Sequence, residues 1–128
     1  MLLNTCATTS PWLRDIGESW NKAGATGDGH AYYLSTIPLI YSPAFYTKKL
    51  DWMKKREALL TPFFSNKVVV DGFIRLTNSA VSHDVRDSLS KIDVPTFIIS
   101  AKQDYLTPIE DQYLLAEKMP CEPYHDWK

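Results

Sequence analysis

The stretch VPTFIISAKQDYLTPIEDQYLLAEKMP, residues 94–120, decides how this chain is read. Its opening is continuously apolar at Phe97, Ile98 and Ile99, the pattern of a strand covered by helices on both faces of a parallel sheet. A strand is therefore expected over residues 95–100, followed by a short loop and a helix. The helix start carries Thr107 as N-cap, Pro108 at the first helical position and Glu110 at the third, a capping box that would satisfy orphan N–H groups. Asp104 lies in the loop between them, past the carboxyl end of the strand. Open α/β sheets gather functional groups there, because the loops converge on a crevice. Two readings of Asp104 stand side by side. It makes the turn by accepting backbone hydrogen bonds, or it orients a histidine imidazole and stabilises the imidazolium formed in nucleophilic catalysis.

Working back from this stretch, VRDSLSKIDVP (residues 85–95) is a linking segment, and residues 67–85 read as a helix in which Val70, Phe73, Ile74, Thr77 and Val81 share a face. The VVV run at 68–70 also suits a strand, since β-branched residues favour one. Ser42 and Pro43 open a further helix, in which Phe45, Trp52 and Leu59, and likewise Tyr46, Met53 and Leu60, recur at heptad spacing to give one wide apolar stripe. An i,i+4 pair of Asp51 with Lys55 is expected on its other side, where the basic run KKREALL reads as a solvated face rather than a binding patch. Residues 30–41 are mostly apolar and aromatic, a short helix expected to be buried on more than one side. Ser10 and Pro11 cap another helix, which AGATGDG ends. Residues 1–5 form a short apolar run, ending in Asn and Thr, that reads as one buried strand. Two strands about ninety residues apart are not by themselves a sheet, so the helices read as an insertion between strands of a larger α/β domain.

Composition narrows the function. With 128 residues and 45% hydrophobic content the chain suits one core, burying roughly 60–70% of its unfolded surface. Fourteen basic against 15 acidic residues, a net charge of −1, provide no field to draw a polyanion or an anionic bilayer. Nucleic acid and membrane are thus not expected as partners. Cys6 and Cys121 form neither a disulfide framework nor a CxxC pair, so free thiols and a cytoplasmic setting are expected. No apolar run approaches the roughly 20 residues of a membrane span.

The run DVPTFIISAKQDYLTPIEDQYLLAEKMP resembles the late strand, acid loop and following helix of the α/β-hydrolase superfamily, in the branch with a helical cap over the site. LTNSAVSHDVRDSLSKI is similar to the exit from such a cap, and LLNTCA to the strand leading into it. The resemblance covers most of the chain and is most specific over residues 92–120. It implies a partial α/β-hydrolase fold: core strand and lead-in at 1–10, helical cap at 11–88, and core strand, acid loop and helix at 89–128, with oligomerisation as one way to complete the sheet. It also implies that Asp104 is the triad acid.

The remaining triad members are not evident. The GxSxG elbow that raises a nucleophilic serine above the sheet is absent from the sequence. Ser10 and Ser42 precede prolines as caps, and Ser100 ends a strand with no elbow after it. His125 is the only histidine after Asp104, but CEPYHDWK has no apolar strand before it, and a tail residue is the reading preferred to a catalytic base. His83 and His30 read as structural, with His30, near Asp28, also within reach of a ligand pocket. His30, His83, His125, Cys6 and Cys121 show no metal-ligand spacing, and no cofactor is implied. The aromatic supply of the cap, Trp20, Tyr32, Tyr33, Tyr41, Phe45, Trp52, Phe63 and Phe64, is divided between holding helices together and lining a pocket. The expected parent acts on an ester, thioester or lactone, taking a hydrophobic small-molecule substrate, with this part inactive alone and paired with a copy of itself or a complementing N-terminal half. A noncatalytic helical interaction or dimerisation protein is the alternative.

Overall fold

The computed structural model describes residues 1–120. The described residues form two compact units: Ser10–Val81 is one, and Met1–Thr9 joins residues 82–120 to form the other. In the latter, β1 (Leu2–Leu3) and β2 (Ile98–Ile99) run parallel, with Leu2 opposite Ile98 and Leu3 opposite Ile99. Leu2 N donates to Phe97 O at 2.8 Å and Asn4 N to Ile99 O at 3.0 Å. Among the described residues the two strands are thus direct neighbours in a two-stranded parallel sheet. A parallel pair needs a long crossover, and the helices between them supply it. In chain order these are α1 (Pro11–Ala25), α2 (Gly29–Ile40), α3 (Pro43–Lys48), α4 (Leu50–Phe64) and α5 (Lys67–Ala80), while α6 (Ile109–Lys118) follows β2.

β2 is shorter than the run that announces it. Ile98 packs with Ala7, Leu89, Leu115 and Met119, whereas Phe97 is 54% exposed. The cover expected on both faces is present on one among the described residues. The segment read as a linker contains a 3₁₀ turn at Arg86–Lys91 that buries Leu89 in this core. Leu115 of α6 closes the core beside Leu89. Backbone bonds from Thr9 N to His83 O at 2.9 Å and from Val85 N to Ala7 O at 2.8 Å tie the two connecting segments of this unit together.

In Ser10–Val81 the local start signals hold. Ser10 Oγ accepts from Leu13 N, Ser42 Oγ from Phe45 N, Asp28 Oδ1 from His30 N and Ala31 N, and Asn66 Oδ1 from Val68 N. Each short polar side chain takes an N–H that has no partner in its own helix. Between α1 and α2 the chain reverses at Gly27, whose φ of 74° suits glycine best. The core is Tyr32, Tyr33, Ile37, Met53, Phe64 and Val70. Tyr33 is fully buried and its hydroxyl donates to Met53 O at 3.1 Å. Tyr32 meets Phe64 edge-on with centroids 5.0 Å apart. Of the aromatic supply, Tyr32, Tyr33 and Phe64 hold the helices together, while Phe45, Trp52 and Phe63 stay exposed.

Three details differ from the pattern in the sequence. Helix α2 buries one face, Gly29, Tyr32, Tyr33, Thr36 and Ile37, and leaves Leu34 and Ile40 exposed. The expected single helix after Ser42 is broken at Lys49, and only the Tyr46, Met53 and Leu60 row packs on the core; Leu59, in the other row, is 71% exposed. A helix facing α2 buries one stripe about 100° wide, and six residues in two adjacent rows exceed it. The ion pair on α4 is Lys54–Glu57 at 2.9 Å rather than Asp51–Lys55. The VVV run is helical, with Val70 buried and Val68 exposed. No helix among the described residues is long and apolar enough to cross a membrane.

Candidate active site

Parallel pairing puts the carboxyl ends of β1 and β2 at one edge, and Asn4 and Asp104 leave those two ends. Asp104 N donates to Ala101 O at 3.1 Å, closing the turn after β2. The carboxylate is held three ways. Oδ1 accepts from Leu106 N and Thr107 N, both at 2.9 Å, and Oδ2 accepts from Asn4 Nδ2 at 2.9 Å. Asn4 reaches both sides of the turn, since its Oδ1 accepts from Ala101 N at 2.8 Å. Its φ of 41° is left-handed, a region in which asparagine is enriched among non-glycine residues.

Asp104 therefore does make a turn, accepting from the second and third residues beyond it in the Asx manner. The same bonds fix the carboxylate plane. An ionised carboxylate offers about four lone-pair positions, and three are taken by these donors, so Oδ2 retains one acceptor position. The turn-making and histidine-orienting roles are compatible in this geometry. The capping box at Thr107 does not form: Pro108 occupies the cap of α6 with no side-chain cap bond. Asp104 already takes Thr107 N, so the acid loop performs the anchoring expected of the box.

Two polar residues behind this edge were not evident in the sequence. Gln112 on α6 is fully buried and its Nε2 donates to Thr5 O, pinning the chain just after Asn4. Asn4 itself had one signal, an asparagine closing an apolar run, which marks a left-handed residue as readily as a surface one. Nearby, burial pushes the Cys6 thiol up and Asp111 adds to it. The Asp111 carboxyl is itself pushed up, by burial first and then by Glu110. A thiol so shifted is a poor nucleophile at neutral pH.

The other candidates occupy separate places. His83 Nε2 donates to Cys6 O at 3.2 Å. His30, in the helical unit, pairs through Nε2 with Glu57 Oε1 at 2.9 Å. Ser10 and Ser42 cap helices, and Ser100 Oγ is buried at the end of β2 without a hydrogen-bond partner among the described residues. His125 lies outside the described residues. Among the described residues no group of three or more His, Cys, Asp or Glu side chains is placed to hold a metal ion.

No protein-family model matches this chain, and no curated protein does. Among solved structures it is similar to the crystal structure of MGS-M2, an alpha/beta hydrolase enzyme from a Medee basin deep-sea metagenome library. The two are 53% identical with a TM-score of 0.90, over 94% of this chain. The chain spans 44% of that enzyme's length. Identity at this level over nearly the whole chain, on a shared backbone, supports an α/β-hydrolase ancestry. The fold is accordingly a partial α/β-hydrolase fold, a helical cap with a small piece of the parallel sheet.

Proposed function

We propose that this chain supplies the cap and the triad acid of a serine-type α/β hydrolase acting on an ester, thioester or lactone, with Asp104 in the acid's role. The observation that supports the reading is the Asp104 carboxylate. It stands past the end of a parallel strand, fixed by Leu106 N, Thr107 N and Asn4 Nδ2, with one acceptor position left on Oδ2. In this reading a histidine Nδ1–H occupies that position. The carboxylate then holds the imidazole in the tautomer that accepts the serine proton, and stabilises the imidazolium as the nucleophile attacks the carbonyl. Residues 11–88 act as the lid, and the setting is cytoplasmic. The nucleophile and base come from the complementing part of the hydrolase, so the chain alone does not hydrolyse the substrate.

A serine-directed fluorophosphonate probe tests this. The chain alone should remain unlabelled. A chimera in which it replaces the corresponding segment of the similar hydrolase should label, and Asp104→Asn should slow that labelling with the circular dichroism spectrum unchanged. Labelling of the chain alone, or a chimera insensitive to Asp104→Asn, would count against the proposal. A second reading, a noncatalytic module that associates through the sheet unit, is supported by the exposure of Leu3, Val94 and Phe97 around two short strands. Light scattering that finds only monomers would remove it.

A further inference from the structure

At the junction of α3 and α4, three lysines gather around a single acid, Asp51. Lys48, Lys49 and Lys55 have no ion-pair partner among the described residues. With Trp52 and Asp51 they line an open depression of about 500 Å³. Trp52 also carries a fourth cation. The Arg56 guanidinium carbon lies 5.3 Å from the Trp52 ring centroid and 6.0 Å from that of Tyr41. Arg56 Nε is buried and has no hydrogen-bond acceptor among the described residues. A buried N–H on a cation left without an acceptor is costly and rare in folded proteins, and it calls for an explanation.

Beside these charges lies an apolar shelf. Phe45 stacks on Tyr41 at 5.4 Å and meets Trp52 edge-on at 6.0 Å. Phe45 is 40% and Trp52 44% exposed. The basic run reads in the sequence as a solvated face, but the Trp52 ring, which both borders the depression and carries the Arg56 guanidinium, sets this corner apart from one. We propose that it binds a small organic carboxylate, whose apolar body lies on Phe45 and Trp52 while its carboxylate meets Arg56 and Lys55. The guanidinium fork matches a carboxylate, and the aromatic shelf favours an acid with an apolar body over inorganic phosphate. The site lies within Ser10–Val81 and does not rest on the reading of Asp104.

The test is an NMR titration of the full chain with 4-phenylbutyrate, its neutral amide 4-phenylbutyramide, and inorganic phosphate. Saturable shifts confined to the amides around Lys48–Arg56 are expected with the acid, with affinity falling roughly threefold to tenfold for the amide. Arg56→Met and Lys55→Met should each weaken the acid by a similar factor. Should Arg56→Met fail to fold, Lys55→Met, at an exposed position, decides the matter. Equal binding of acid and amide overturns the proposal, as does preference for phosphate over the acid. So does indifference to Lys55→Met, or the absence of saturation at roughly 10 mM. Binding to phosphatidylserine vesicles without saturable binding of the acid would overturn it in favour of a membrane surface.

Discussion

Replacing Asn4 by alanine removes the clasp between the two strand ends and leaves the backbone in a conformation that alanine resists. The Asn4 Nδ2 to Asp104 Oδ2 bond joins a neutral donor to a carboxylate, and Asn4 Oδ1 takes Ala101 N. A bond to a charged group contributes about 1.5–3 kcal/mol when buried. Both side chains are only partly buried, which puts this one near the low end. Ala101 is exposed, so water replaces its lost acceptor at small cost. Alanine at the φ of 41° adds about 1–2 kcal/mol. The expected loss is about 2.5–3.5 kcal/mol in the unit containing the sheet. Asn4→Gly loses the same bonds without the backbone penalty and should be less harmful by about 1 kcal/mol. Native-state hydrogen exchange reads this unit by itself: the Leu2, Asn4 and Thr107 amides, bonded to Phe97 O, Ile99 O and Asp104 Oδ1, should lose protection together. Protection in Asn4→Ala within about 0.5 kcal/mol of wild type would refute the clasp. A glycine variant as damaging as alanine would refute the strain argument.

Further outcomes follow from other contacts. Gly29→Ala sets a methyl inside van der Waals contact of Thr61 O and Ser65 N, so the approach of α2 to α4 must open; thermal unfolding should show a loss of about 2–3 kcal/mol or more. In a Cys121→Ser background, Cys6 should react with dithionitrobenzoate more slowly than a free thiol at about pH 8, and Asp111→Asn should partly restore the rate, since burial is the larger cause and Asp111 the second. Because the folded Asp111 carboxyl is raised above its ordinary value, its charge opposes folding at neutral pH. Asp111→Asn should therefore stabilise the sheet unit at neutral pH, with the gain fading as pH falls to about 4, where the unfolded carboxyl also binds a proton. Denaturation curves at several pH values check the sign.

What the sequence made legible was local. Ser10–Pro11 and Ser42–Pro43 each place a cap and a first-turn proline within a few residues, and both helices start there. Asp104 stood out because a strand, a loop and a helix are written consecutively around it. The partnership of Asn4 with Asp104 spans 100 positions and became visible only once β1 lay beside β2. The Thr107 capping box satisfied a local rule and failed because a nearer acid took the same N–H. Likewise, the heptad rows at Phe45 and Tyr46 are indistinguishable as sequence. Contact with α2 decides which is buried, and that contact is tertiary. Residues 30–41 hid their period because their outward positions, Leu34 and Ile40, are apolar as well.

The role of Asp104 is read from kcat for p-nitrophenyl butyrate hydrolysis by the chimera of this chain with the similar hydrolase, carrying Asp104 or Asp104→Asn. With the carboxylate orienting the histidine, kcat should fall on the order of 10³–10⁴-fold while KM changes little. An active chimera whose kcat is unchanged by Asp104→Asn would rule out the triad role and leave Asp104 as the residue that shapes the loop.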